Sequence, residues 1–173
     1  FLTLYLRQYT DTLISPWTIF GPRFFITFAI TTLILIWILQ KSKDNSWNLF
    51  LTIIHTGLIL NVALIVFKLG FGFDPFIHQA AEKWIAENGF ILPKQPYYIG
   101  QYMLVLTNHF ITHISVQLLD KMIVPVFATF ILPLTAYFAF SRANLADKIH
   151  PALALVPLLP LNFFTLTSPN NFA

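Results

Sequence analysis

The residues able to do chemistry in this sequence gather in one stretch, residues 70–120. Asp74 precedes Pro75 where a helical pattern begins, and His78 follows four positions later, so a carboxylate and an imidazole share one helix face. An imidazole there can touch a phosphate, a hydroxyl or the carboxylate itself, or simply be solvated at a surface. Asp before Pro at a helix start also has a structural reading, an N-cap with proline at the first helical position, which contributes about 1 kcal/mol. Further on, Lys94, Tyr97, Tyr98 and Gln101 cluster around Pro96. Such a group can hold a phosphate and its neighbouring hydroxyls, and Tyr and Lys are equally the ordinary anchors of a lipid headgroup region. His109 and His113 repeat the spacing that two ligands of one metal need on a helix, but no third ligand stands near, and no metal site is assigned. Asp120 and Lys121 read as a local ion pair or a cap at the mouth of an apolar run.

Two helical patterns must position these groups. Phe76, Ile77, Ala80, Ala81, Trp84 and Ile85 recur at one-turn intervals, with His78, Gln79, Glu82, Lys83 and Glu87 opposite, up to Asn88 and Gly89. This helix is too short and too charged to cross a bilayer, so it is expected to lie along the membrane surface with Trp84 in the interface. A turn-rich stretch with Pro93, Pro96 and paired tyrosines follows. The run 99–119 is long enough to cross, but it carries Gln101, Asn108, His109, Thr112, His113, Ser115 and Gln117. Its one apolar stripe is Ile99, Tyr102, Met103, Leu106, Phe110 and Ile114, a pattern that predicts a second surface-lying helix.

The remainder reads as membrane protein. Of 173 residues, 57% are hydrophobic and 10% charged, against roughly a quarter charged in an average soluble domain. The expected fold is all-α, a polytopic transmembrane helical bundle with interfacial amphipathic helices in one large loop. About four spans are expected, at about 20–40, 48–69, 121–140 and 150–166, forming a single transmembrane region. Each approaches the roughly 20 residues that cross about 30 Å of hydrocarbon. His55 and Asn61 lie within the second and should hydrogen-bond to other helices. Pro125, Pro133, Pro157 and Pro160 predict kinks.

Short polar connections at 40–46 and 141–150 carry Lys41, Lys43, Arg142 and Lys148. Basic residues in short connections favour the cytoplasmic face, which makes the loop 70–120 extracytoplasmic and the protein an integral, multi-pass one. The net charge of +3 comes without a basic stripe and argues against nucleic acid as a partner, leaving membrane lipids. With no Cys, disulfides and thiolate metal sites are excluded. The chain opens on Phe1 and closes directly on a hydrophobic run, so it reads as part of a longer protein.

A span leading into a loop with an Asp at the start of a surface helix resembles the GT-C superfamily of membrane glycosyltransferases. The resemblance runs through the residues Gly72, Phe73, Asp74, Pro75, Phe76, Ile77 and His78, the stretch from Pro93 to Tyr102, and Asp120 with Lys121. It continues with Ser141 and Arg142 and closes at Thr167, Ser168 and Pro169, covering roughly residues 47–170. It implies transfer of a sugar from a polyprenyl-phosphate donor to an acceptor at the outer membrane face. By the same resemblance Asp74 would be the catalytic base or bind a divalent metal, with His78, Lys94, Tyr97, Tyr98 and Gln101 as candidate substrate contacts. Relatives of this kind often carry a second acid beside the first; here Pro75 follows, and the next acids are Glu82 and Glu87. Basic residues that grip the donor phosphate commonly come from later loops, which this chain lacks, so the chain alone is not expected to be a complete enzyme.

Two other classes fit a polytopic chain. A transporter or channel would also have kinked helices, with intramembrane polar groups marking its path. A non-catalytic scaffold would use the loop as a docking surface. Further extracytoplasmic loops rich in acids and bases would favour the transferase, and duplicated inverted halves would favour transport.

Overall fold

The computed structural model describes residues 10, 21–42, 44–70, 74–90, 98–143 and 149–159, and for Asp74 the backbone alone. Lys94, Tyr97 and the part of the fourth expected span beyond residue 159 lie outside the described residues.

Seven α-helices are described, with no strand among the described residues. The first, α1 (Pro22–Lys41), starts with proline at its head, where a missing N–H costs nothing, and ends on Lys41, whose charge suits the negative end of the helix dipole. After a short turn, Asp44 accepts the Trp47 N–H at 3.0 Å and caps α2 (Asn45–Leu60). Asn61 interrupts the helical run before α3 (Val62–Val66) and bonds its own side-chain amide to the Gly57 carbonyl at 2.9 Å. The loop then supplies α4 (Asp74–Asn88), closed by the left-handed Gly89, and α5 (Ile99–Thr112). Ser115 caps α6 (Val116–Arg142), whose 27 residues run unbroken through Pro125 and Pro133. Last comes α7 (Ile149–Leu155), which tightens into a 3-10 turn at Val156–Leu158 around Pro157.

The second surface helix ends earlier than its sequence pattern implies. His113 adopts a left-handed conformation (φ 57°), and residues from Val116 onward open the long helix instead. A hydropathy pattern does not reveal this break, because no Gly or Pro marks it.

Among the described residues two helices, α1 and α6, are long and apolar enough to cross a membrane. Their outward surfaces carry Ile26, Leu33 and Trp37 on α1 and Phe127, Phe130 and Phe138 on α6. Apolar side chains turned outward along a long helix suit lipid rather than water as the surrounding solvent.

Polar side chains link the helices inside. Thr32 on α1 lies 2.8 Å from His55 Nε2 on α2, and Phe28 stacks on the same imidazole at 4.8 Å. Asn61 donates to Thr129 Oγ1 on α6 at 3.0 Å, so both polar residues of this segment meet other helices, as their sequence positions predict. His150 at the head of α7 reaches Asn45 Oδ1 at 2.8 Å. Apolar packing forms separate clusters: Leu35, Leu39, Ile149 and Leu153 join α1 to α7, while Tyr102, Val105, Leu106, Val116, Leu119 and Ile123 join α5 to α6.

The extensive packing of α2 on α6 depends on Gly57, where a Cβ would sit 2.9 Å from Thr129 Cγ2. Overpacking costs about 1–3 kcal/mol, while replacing a mid-helix Gly by Ala returns about 1 kcal/mol. Gly57→Ala is therefore expected to lower thermal stability in detergent, and adding Thr129→Ser, which removes the obstructing methyl and keeps the hydroxyl, is expected to restore it. Equal melting of the single and double variants would refute this contact.

Candidate functional site

The polar side of the first loop helix is packed inside the protein rather than solvated. His78, Gln79 and Glu82 on α4 are buried, whereas Phe76, Ile77 and Trp84 are exposed. The sequence pattern turns the apolar stripe toward the membrane with Trp84 in the interface and leaves the polar side solvated, with a solvated histidine as the plain reading of His78. Here the polar side faces α5 and α6, leaving the large apolar residues for the surroundings. The stripe expected on α5 is divided as well: Tyr102 and Leu106 point inward, while Ile99, Met103, Phe110 and Ile114 are exposed. Both corrections share a physical reason. Where lipid is the solvent, burying polar groups against one another and leaving apolar ones outside satisfies both.

At the centre of this junction Gln101 bridges two carboxyl groups. Its Nε2 donates to Asp120 Oδ1 on α6 at 3.1 Å and, with weaker geometry, to Glu82 Oε1 on α4 at 3.4 Å. Glu82 and Asp120 are both 0% exposed, and Gln79 and Gln101 are each 4% exposed. Four of their polar atoms complete no hydrogen bond: Glu82 Oε2, Asp120 Oδ2, Gln101 Oε1 and Gln79 Nε2. Burial pushes the Glu82 carboxyl up to about 9, the Asp120 charge adds to the rise, and the Gln101 bond opposes it. Glu82 therefore holds its proton at neutral pH.

Beside this bridge His78 Nδ1 lies 3.0 Å from the Tyr102 hydroxyl, and the Tyr98 ring meets the imidazole edge-on at 4.7 Å. Burial raises the Tyr102 phenol above its usual range, helped by the charges of Glu82, Tyr98 and Asp120.

The residues singled out from sequence take unequal places. Asp74 is the first residue of α4, and His78 stands four residues along the same helix. His78 and Tyr98 are brought together, whereas Gln101 spends its amide on the carboxyl pair. Asp120 is part of that bridge, while its neighbour Lys121 donates to the Lys68 carbonyl at 3.4 Å. Gln117 similarly donates to the Leu69 carbonyl at 3.3 Å, so α6 holds the chain that leads into the loop. Glu82 is the residue that sequence reasoning passed over, having placed it on a solvated face. The available signal was its position four residues beyond His78, in a polar stripe on a helix otherwise rich in Phe, Ile and Trp.

Among the described residues no group of three or more His, Asp and Glu is placed to hold a metal ion. His113 sits outside the helix in its left-handed turn, and His109 Nδ1 lies 2.6 Å from the Ile114 carbonyl, so each has a local structural setting. The bridging group between Glu82 and Asp120 is an N–H donor, which satisfies carboxylates but is the wrong polarity for a cation. No family model, curated protein or solved structure matches the chain.

Tyr102→Phe removes the hydroxyl from His78 Nδ1 inside a buried site. The expected loss is about 1–3 kcal/mol of stability, read as a lower melting temperature in detergent with helix content by circular dichroism unchanged. An unaltered melting curve would show that this bond contributes nothing.

Proposed function

We propose that the chain is part of a multi-pass membrane glycosyltransferase of the GT-C kind, acting on a polyprenyl-phosphate-linked sugar at the extracytoplasmic face. One observation carries the reading: α4 is built into the protein by its polar side. The Glu82, Gln101 and Asp120 bridge ties α4 to the head of a helix long enough to cross a membrane. Lys121 and Gln117 tie down the preceding residues Lys68 and Leu69. Asp74 therefore opens a helix anchored to a membrane helix, which supports a role that demands fixed geometry.

In this reading an acceptor hydroxyl attacks the anomeric carbon, the bond from that carbon to the lipid phosphate breaks, and the phosphate leaves with the electron pair. The Asp74 carboxylate takes the hydroxyl proton. His78, steadied by Tyr102 and Tyr98, borders that helix face, and Lys94, Tyr97 and Tyr98 supply contacts to the donor. The four spans and the outward placement of the loop belong to the same proposal.

The full-length protein in liposomes, given a labelled polyprenyl-phosphate sugar, is expected to transfer label as wild type and to lose at least about 100-fold in rate as Asp74→Asn, the scale of a missing general base. Equal transfer by both would end the assignment. The sidedness has its own measurement. Because the sequence has no Cys, a single cysteine at Asn88 should react with an impermeant maleimide from outside and one at Ala143 from the cytoplasmic side. Reaction of both from one side would refute the topology.

A further inference from the structure

The Glu82 and Asp120 pair is the most demanding feature of the molecule, and nothing in the transfer reaction uses it. The two side chains come from different helices, and neither has any exposed surface. Among the described residues Gln101 is the one side chain that donates to both carboxyls, the Gln79 side chain acts on Asp120 as well, and Glu82 Oε2 and Asp120 Oδ2 complete no hydrogen bond. Each acid has a lysine next to it in the chain, but Lys83 is exposed and Lys121 is bonded to the Lys68 carbonyl. Two buried anions bridged by one neutral amide would be far from compensated, because desolvation and mutual repulsion act in the same direction.

We propose that Glu82 and Asp120 share a single proton across Gln101 and that this proton fastens α4 to α6, making the two carboxyls positioning residues for the helix that Asp74 opens. The chemistry fits the atoms that stand unpaired. A protonated Glu82 gains an O–H donor, and Asp120 Oδ2 and Gln101 Oε1 are acceptors still without partners. Proton sharing between buried carboxyls is what neighbouring acids do when both cannot ionise. The proton bridge stands on its own geometry; only the positioning role rests on the transferase reading.

The groups facing Glu82 are few. From α6 the facing acid is Asp120; from α5 come Gln101 and the Tyr102 phenol, with Tyr98 beyond it. On α4 itself His78 is engaged by Tyr102, and Gln79 acts on Asp120. Among these, Asp120 is the charged group that acts on Glu82. Its folded-state pKa of about 9 stands above the ordinary 4.5. Below about 4.5 the carboxyl is protonated folded or unfolded, and the docked state has its full stability. Between those values the folded chain holds a proton that the unfolded chain has released, so each rise in pH weakens docking. Above about 9 Glu82 ionises in place and faces Asp120 as a second anion.

The test measures docking and transfer separately, in the full-length protein reconstituted in nanodiscs. Spin labels on Lys83→Cys and Leu118→Cys, at exposed sites on α4 and α6, report the distance between the helices. Wild type should give one narrow distance at pH 6 that broadens and lengthens progressively as pH rises to about 9, with no further change above it. Glu82→Gln keeps the shape, and its amide can donate to Asp120 as the shared proton does, so the narrow distance should persist to pH 10. Should that variant fail to fold, Asp120→Asn removes the opposing charge and should extend docking in the same way. A wild-type distance indifferent to pH, or a Glu82→Gln variant undocked at pH 7, overturns the proposal. So does a stabilisation of wild type by millimolar Ca²⁺ or Na⁺ that Glu82→Gln abolishes, since a cation would then hold the site.

Transfer by Glu82→Gln should match wild type at pH 7 and continue at pH values where wild type declines. A docked but inactive Glu82→Gln variant would place Glu82 in the chemistry itself and overturn the positioning role. Absence of transfer by wild type would refute the transferase reading alone, with the distance measurement still deciding the proton bridge.

Discussion

A carboxyl group with no exposed surface has to be neutral, paired or ligated, and this structure has two such groups side by side with one glutamine between them. Nearly everything about the loop follows from satisfying them. Gln101 must face inward on α5, which turns Tyr102 inward next to it and brings the phenol to His78. Glu82 must face inward on α4, which carries Gln79 and His78 with it on the same side. Asp120 must sit on the first turns of α6, where both loop helices can reach it. The apolar contacts of Ala81, Ile85 and Ala86 with the cluster around Val105 and Ile123 surround this polar contact and keep water away from it.

The surroundings complete the account. A helix with buried Glu, Gln and His and exposed Phe, Ile and Trp would be inside out in water. Against lipid the same arrangement lowers both costs at once, because hydrocarbon accepts the aromatic side and the protein satisfies the polar side. The bundle obeys the same logic. Thr32 with His55, and Asn61 with Thr129, are polar pairs placed between helices whose outer faces are apolar. Gly57 permits the second pair by letting α2 and α6 approach closely, a use of small residues that membrane helices share widely.

Much of the helical framework was legible in the sequence, because hydropathy and capping residues report on the chain locally. Gly89 marks an end that the structure shares, and the interhelical roles of His55 and Asn61 follow from the cost of a lone polar group in lipid. The burial of the polar side of α4 and the division of the α5 stripe were not legible, because helical periodicity identifies two unlike faces without saying what each one meets. That assignment needs the partners, which come from other helices, Gln101 on α5 and Asp120 on α6. The break at His113 was hidden for a different reason. A left-handed histidine is held by its neighbours, here through its own N–H to the His109 carbonyl at 2.8 Å, and leaves no compositional mark. Asp120 reads with Lys121 as a local ion pair or a cap, since its partners lie 19 and 38 positions back in the chain and no periodicity connects them.

The length of α6 fixes a depth. A helix of 27 residues is about 40 Å long, while the hydrocarbon layer is about 30 Å thick. With Arg142 seated among the headgroups at one end, about two turns of the other end rise out of the hydrocarbon, and Asp120 lies on them. In a bilayer that α6 crosses, the bridge to Glu82 would then stand near the phosphate plane of the opposite leaflet. A lipid-linked molecule would meet this face by sideways diffusion alone, with its chain still among the other lipids and only its head turned toward the protein.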